Sequence, residues 1–233
     1  MKKLTRYFSK FEIFIWVVSV LLIILSFLIF DRSGYMYTLA SILGVTAILL
    51  NAKGNPIGQG LMVIFSIVYG TISFSFGYYG EMITYIGMSL PMSVFALISW
   101  LRNPFKGNRN QVEVNRISKK ETAFMVVLTA TVTVGFYFIL KAFDTANLIP
   151  STLSVATSFG AVYLTARRSP YFSVAYALND IVLIVLWSLA IPNDISCVSV
   201  VVCFIMFLVN DVYAFINWRK IEIKQRTEKQ LTE

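Results

Sequence analysis

Eight separated apolar stretches constrain this chain more than any other feature of its sequence. Each is bounded by charges, Gly, Pro or Asn, and they lie near residues 12–30, 35–51, 57–76, 82–101, 121–143, 151–166, 171–191 and 195–218. About 20 helical residues span a hydrocarbon core of ~30 Å. Because 57% of the 233 residues are hydrophobic, a soluble domain of this size could not bury them all. The pattern predicts an all-α integral membrane protein with eight transmembrane helices.

The distribution of positive charge predicts how these spans are oriented. When eight spans are drawn, 18 of the 20 Lys and Arg residues lie on the side of the N-terminus, and only Arg32 and Lys141 lie on the other. An excess of Lys and Arg marks the cytoplasmic side of a membrane protein. The first apolar stretch follows a basic tail but has no small-residue cleavage site, so it should remain as an anchor. We therefore expect both termini to be cytoplasmic.

Several functional classes are excluded by composition. The chain has no His, and its two cysteines, Cys197 and Cys203, fall in one apolar run without CxxC spacing. Zinc sites and Ser-His-Asp triads are therefore not expected. No GxxxxGK[ST] loop is present for nucleotide hydrolysis, and the positive charge is explained by orientation rather than by a nucleic-acid surface. We expect no enzyme activity, no metal, no cofactor and no nucleic-acid partner.

Two parts of the chain resemble each other. The sequence A-K-G-N-P ending at Pro56 recurs as A-R-R-S-P ending at Pro170, and I-S-W ending at Trp100 recurs as I-N-W ending at Trp218. Each half then holds three spans, and one linking span restores the direction of the second half, which predicts two parallel three-helix repeats in a 1 + (3+1+3) layout. The segments are an N-terminal tail and extra span (1–34), the first repeat (35–101), a basic loop and linking span (102–150), the second repeat (151–218) and a tail (219–233).

Polar residues inside the spans are the candidates for a binding site. An ionisable group within a span costs at least ~2.5 kcal/mol, so it usually faces a cavity. Asp180 lies mid-span, and Asn210 and Asp211 point about 100° apart, so only one of these two need face the cavity. Nearby aromatic rings, amides and carboxyls suit a flat polar heterocycle. The substrate-binding candidates are Gln59, Ser66, Tyr69, Tyr176, Asn179, Asp180, Trp187, Asn210 and Tyr213.

Structural roles are the alternative for several of these residues. Asn and Ser often join helices to one another, and aromatic residues near span ends are commonly interface anchors, which we expect of Trp16, Trp100 and Trp218. Two gating candidates lie in the fourth span. Pro91 permits a bend, although a static kink fits equally, and Glu81 could instead interact with the helix N-terminus. The basic loop and the tail carry no motif, and contact with anionic membrane lipid is the expected role.

The motifs Y-Y-G-E at 78–81, Asn179-Asp180 and V-N-D-V-Y-A-F-I-N-W at 209–218, together with the SWEET-like layout, resemble the PnuC family of bacterial vitamin transporters. The resemblance covers the chain from about residue 35 onward, and the family includes nicotinamide riboside transporters. It implies facilitated diffusion of a vitamin or nucleoside with alternating access, through a site between the two repeats. It also implies a multi-pass protein of the bacterial cytoplasmic (inner) membrane and a cytosolic kinase that traps the substrate.

The resemblance leaves the substrate open. Nicotinamide riboside members usually carry two tryptophans where this chain has Ser173 and Tyr176, which should weaken stacking on a pyridinium by about 1–2 kcal/mol per lost Trp face. A neutral nucleoside or deoxynucleoside, thiamine and riboflavin are alternatives. Two other modes are also open: proton-coupled uptake of the same substrates, and a ligand-binding receptor or accessory subunit without transport. The sequence is also compatible with a homo-oligomer.

Overall fold

Helices make up nearly all of the computed structural model, which describes residues 7–32, 34–75 and 79–231. Helix α4 covers 79–102 in three consecutive parts: a short α-helical turn, a π-helical segment (Ile83–Ser89) and a longer α-helix (Leu90–Arg102). The other helices are α1 (Lys10–Phe30), α2 (Tyr35–Ala52), α3 (Pro56–Ser75), α5 (Lys119–Ala142), α6 (Leu148–Ala166), α7 (Phe172–Ser188) and α8 (Cys197–Gln230).

Seven of these eight helices are long and apolar enough to cross a membrane within the described residues. The exception, α7, has 17 residues and is therefore about 25 Å long, at the lower limit for a span. The eight helices confirm the predicted all-α membrane fold. Helix α8 extends beyond its expected end at residue 218 to Gln230, so much of the predicted C-terminal tail is helical.

The turns that follow α2 and α6 are built alike. After α2, Gly54 adopts a positive φ of 69°, and its N–H donates to the carbonyl of Asn51 at 2.9 Å. After α6, Arg168 adopts a φ of 57°, and its N–H donates to the carbonyl of Thr165, also at 2.9 Å. Both turns thereby satisfy carbonyls that a helix leaves without partners at its C-terminus. They correspond to the two sequence segments that are similar in the two halves.

Two tryptophans connect these halves, rather than serving as the interface anchors that the sequence suggested. Trp100 and Trp218 are both fully buried, and their ring centroids lie 5.4 Å apart. Trp100 Nε1 donates to the carbonyl of Thr165 at 2.8 Å, and Trp218 Nε1 donates to the carbonyl of Asn51 at 2.7 Å. The last helix of each half thus caps the first helix of the other. This exchange supports the repeat relation, which stays a prediction.

The predicted basic loop between α4 and α5 is an ordered segment at the same end of the bundle. It contains two short antiparallel strands, β1 (Pro104–Phe105) and β2 (Asn108–Val112). The N–H of Val112 donates to the carbonyl of Gly54 at 2.9 Å, and the N–H of Asn115 donates to the carbonyl of Arg168 at 3.0 Å. One segment therefore binds the same position of both turns. We call this end, with its two turns and segment 103–118, the basic end.

The extension of α8 packs against this segment. Gln225 Nε2 donates to the carbonyl of Val112 at 3.0 Å. Glu222 is buried and forms ion pairs with Arg116 of the segment and Arg219 of its own helix. These hydrogen bonds and ion pairs hold segment 103–118 in place against α8. They replace the contacts with water that its charged and polar groups would otherwise make. Membrane lipid remains the expected partner of the exposed basic side chains.

We predict that Trp100→Phe and Trp218→Phe each lower the free energy of unfolding by about 1–2 kcal/mol, because a buried hydrogen bond to a helix carbonyl is lost. Thermal unfolding of the purified chain in detergent measures the effect. The matched control is Trp187→Phe. This tryptophan is partly buried and packs against the main core, which is formed by buried apolar residues of α1, α2, α3 and α8. Equal melting temperatures for all three variants would contradict a role of Trp100 and Trp218 in connecting the two halves.

Candidate functional site

A cavity lies between six helices, α2, α3, α4, α6, α7 and α8. It encloses about 770 Å³ of space between atoms when its open mouth is included, and the centre of a water-sized sphere can reach about 80 Å³ of it. Aromatic rings contribute one part of the lining: Phe65, Tyr85, Phe172, Tyr176, Phe204 and Phe207. Polar side chains contribute the other: Asn51, Ser66, Ser89, Ser93, Ser158, Asn179, Asp180 and Asp211. The combination offers flat apolar faces beside groups that form hydrogen bonds.

Two amide side chains in the lining are held by neighbouring polar groups. Asn179 Oδ1 accepts hydrogen bonds from Thr157 Oγ1 at 2.8 Å and from Ser158 Oγ at 3.1 Å. Asn51 Oδ1 accepts a hydrogen bond from Gln59 Nε2 at 2.9 Å. Because both amide oxygens are engaged, each NH₂ group is left to donate to a ligand. Their orientation is thus fixed before a ligand enters.

Two carboxyl groups meet in the same cavity. Asp180 on α7 and Asp211 on α8 are each only 3% exposed, and both line this cavity close enough for their charges to interact. Asp180 Oδ2 accepts no hydrogen bond from a protein donor in the described chain. No Lys or Arg is found among the described residues of the lining. Two carboxylates in contact without a cation repel each other, so this pair needs a proton or a positively charged ligand.

Aromatic layers bound the cavity on two sides. At the basic end, the Phe172 ring centroid lies 4.9 Å from that of Trp218 and 6.3 Å from that of Trp100; we call these three residues the basic-end layer. Towards the other end, the Tyr69 ring centroid lies 4.4 Å from that of Tyr85. Tyr37 packs edge-on against Tyr69 at 5.7 Å, and we call these three tyrosines the tyrosine layer. The polar cavity lies between the two layers.

The structure places four of the nine predicted site residues directly in the lining, namely Ser66, Tyr176, Asn179 and Asp180. Three more lie outside the lining. Gln59 supports Asn51, Tyr69 belongs to the tyrosine layer, and Trp187 is partly buried against the main core. Ser173, at one of the two tryptophan positions of the family, is fully buried outside the lining. A larger side chain there would meet packed atoms rather than ligand.

Asn210 and Tyr213 differ from the prediction, because they face the extra helix α1 and not the cavity. Asn210 Nδ2 donates to Ser19 Oγ at 2.9 Å, and the Tyr213 hydroxyl donates to Glu12 Oε1 at 2.7 Å. Glu12 also accepts a hydrogen bond from Lys53 Nζ at 2.9 Å. Of the neighbouring pair on α8, Asp211 is thus the one in the cavity. The physical reason is the turn of about 100° between adjacent helical residues.

The gating candidates lie in α4. Pro91 follows the π-helical segment Ile83–Ser89, at the start of the α-helical part of α4. In the π-helical turn, the N–H of Leu90 donates to the carbonyl of Tyr85, and Pro91 has no N–H to continue the ladder. Ser89 and Ser93, on either side of Pro91, both line the cavity. The side chain of Glu81 lies outside the described residues.

Eight apolar helices around a buried polar cavity define a multi-pass membrane carrier. The chain matches the sequence model of the family described as nicotinamide mononucleotide transporter over residues 34–220, and it belongs to that family. It is 23% identical over 212 residues to the nicotinamide riboside transporter PnuC of Neisseria mucosa, covering 89% of this chain and 80% of that protein. Its fold is similar to the crystal structure of the vitamin B3 transporter PnuC, with a TM-score of 0.79, 18% identity and 94% of each chain covered.

Membership confirms the resemblance to the PnuC family that the motifs indicated. The chain is therefore a membrane transporter and not an enzyme, as predicted. The structural match also agrees with the all-α membrane fold.

We predict that Asp180→Asn and Asp211→Asn do not lower the thermal stability of the empty protein, and that each raises the free energy of unfolding by about 1–2 kcal/mol. An amide of equal size relieves the contact between two acidic groups and can still donate a hydrogen bond. Thermal unfolding in detergent tests this, with Asp144→Asn in an exposed turn as the control. A marked loss of stability in both variants would show that the acid pair holds the helices together.

Proposed function

We propose that this protein takes up a nicotinamide riboside-like nucleoside by facilitated diffusion with alternating access. The single observation that carries the proposal is the cavity between the two helix triplets, with its aromatic rings, oriented amides and buried acid pair. The relative from Neisseria mucosa is a nicotinamide riboside transporter, which supports the substrate class. A ring-containing vitamin joined to a ribose needs both kinds of contact that the lining offers.

The chemistry of the lining fits the two parts of such a substrate. Phe172 and Tyr176 offer faces or edges for contact with a heterocycle. The amide NH₂ groups of Asn51 and Asn179 can donate to carbonyl or hydroxyl oxygens, while serine hydroxyls can donate and accept. Ser66 lies in the lining on α3, opposite the helices that carry the acid pair. We assign Gln59 the role of holding Asn51 in place.

Alternating access requires that one side of the cavity opens while the other stays closed. The basic-end layer and the tyrosine layer are the proposed gates, because each contributes an aromatic residue to the lining, Phe172 and Tyr85 respectively. The π-helical segment and Pro91 give α4 a weak point in its hydrogen-bond ladder, where a bend can occur. Pro91 is therefore the proposed hinge, and Glu81 remains a proposed gating residue.

The proposed setting is the bacterial cytoplasmic membrane, with both termini and the basic end on the cytoplasmic side. The positive residues of segment 103–118 and of the extended α8 would then face the anionic inner leaflet. A cytosolic kinase that phosphorylates the entering nucleoside would keep the gradient directed inward. Assembly into a homo-oligomer stays a prediction.

Uptake of radiolabelled nicotinamide riboside into proteoliposomes that contain only this chain tests the proposal. Facilitated diffusion predicts uptake that stops when the internal and external concentrations are equal. A receptor or accessory subunit would bind the nucleoside but give no flux above that of empty liposomes. Proton-coupled uptake is the second candidate, favoured by the buried acid pair, and it predicts accumulation above equality when a pH gradient is imposed.

We predict that the double variant Thr157→Val, Ser158→Ala weakens nucleoside binding by about tenfold, because Asn179 loses the two hydroxyl groups that orient its amide. The control is Thr152→Val on the same helix, since its hydroxyl donates only to the backbone carbonyl of Leu148. Binding is measured by the ligand-induced shift in melting temperature. Equal shifts in the double variant and the control would remove Asn179 from the site.

A further inference from the structure

The Asp180–Asp211 pair has no positive partner in the part of the chain that the structure describes around the cavity. The residues of α2, α3, α4 and α6 in the lining are apolar, hydroxyl-bearing, aromatic or amide. The other titratable groups that face the pair are Tyr176 of α7, Tyr85 of α4 and Cys203 of α8. All three types of side chain are ordinarily neutral at neutral pH. The protein therefore supplies no charge to balance an ionised pair.

Geometry shows what the pair can accept. The two carboxyl groups come from different helices and lie together in the lining, so one proton shared between them relieves the repulsion of two ionised carboxylates. Asp180 Oδ2 is buried and without a protein donor, although Asp180 lines the cavity. An acceptor of this kind in an apolar environment is costly unless a ligand supplies a donor or a positive charge.

We propose that the Asp180–Asp211 pair selects a positively charged heterocycle and exchanges a proton for it. The empty cavity holds one proton shared by the two carboxyl groups, and the arriving cation releases that proton. The ligand's charge then balances the carboxylate, so the empty and the loaded cavity carry the same net charge. This inference rests on the proposed function and deepens it, since it specifies an N-ribosylated pyridinium in preference to a neutral nucleoside. Because the emptied carrier returns with a proton, uptake of the cation ends at equal concentrations when the pH is the same on both sides, and only an acidic interior drives it further.

Proton exchange determines how the affinity for the cation changes with pH. A cation that must displace a proton binds more weakly when protons are abundant, so its affinity rises with pH through the titration of the pair. A neutral ring of the same shape displaces no proton, and its affinity lacks this dependence. The rings of Phe172 and Tyr176 contact both kinds of ligand alike, so aromatic packing alone gives no such difference.

The test compares nicotinamide riboside with its dihydro form, which has the same ribose and carboxamide but a neutral ring. Isothermal titration calorimetry of the full chain in detergent gives both affinities. We expect the pyridinium to bind about 10- to 100-fold more tightly, as when a buried carboxylate gains a neighbouring positive charge. Titrations in two buffers of different ionisation enthalpy should show about one proton released for the pyridinium and none for the dihydro form.

Substitution of Asp180 and Asp211 tests whether these two residues cause the preference for the pyridinium and the proton release. In the double variant Asp180→Asn, Asp211→Asn, we expect the preference for the pyridinium to fall by at least about tenfold and proton release to disappear, while binding of the dihydro form is retained. Asp144→Asn, at an exposed turn with positive φ that Asn tolerates well, is the matched control and should bind as the natural protein does. Should the cavity variants fail to fold, the ligand comparison on the unaltered chain decides the question.

The outcomes separate the two proposals. Tight binding of both ligands with equal affinity and no proton release overturns cation exchange but leaves nucleoside uptake in place. Proton release that persists in the double variant also overturns it, because the proton would come from another group. If neither ligand binds and no flux is seen in proteoliposomes, the proposed function fails and the cation exchange fails with it.

Discussion

The structure depends on one constraint: the hydrocarbon core offers no hydrogen-bond partner, so every polar group in a span must find one inside the protein. Many serine and threonine hydroxyls in the spans meet it locally by donating to the carbonyl four residues earlier, as Ser41 and Thr46 do. Asn51 and Asn179 meet it through neighbouring side chains. The Asp180 carboxyl meets it only in part. This unmet capacity of Asp180 lies in the cavity, where a ligand can use it.

The same constraint explains the basic end. Helices α2 and α6 both end there, and their last carbonyls must be satisfied close to the membrane surface. Trp100 and Trp218 supply indole donors across the two halves, while segment 103–118 supplies backbone donors to the turns beyond. The capping groups therefore belong to the opposite half or to the linker. The same contacts close this end of the cavity and cap these helices. A movement that opens the cavity here must therefore replace these hydrogen bonds with others.

The sequence predicted the eight helices and part of the site, because both leave strong local signals. Apolar length marks a span, and a charge in mid-span marks a cavity, which is how Asp180 was found. The direction in which neighbouring side chains point was harder to predict. Asn210 and Asp211 are adjacent, and only the packing of α1 decides which of them faces the cavity. Ser89, Ser93 and Ser158 left no signal, since serine is common in spans. The Trp100–Trp218 contact depends on residues more than 100 apart, which no local pattern reveals.

Helix α1 lies outside the two predicted triplets, yet it determines what α8 can carry. Asn210 and Tyr213 lie on a face of α8 directed away from the cavity, and without α1 their polar groups would face lipid at a cost of roughly 1–3 kcal/mol each. Ser19 and Glu12 of α1 provide their partners. Because Glu12 also binds Lys53 in the turn after α2, the same carboxylate connects α1 to both halves. The extra helix thus lets α8 be polar on two faces, one towards α1 and one with Asp211 towards the cavity.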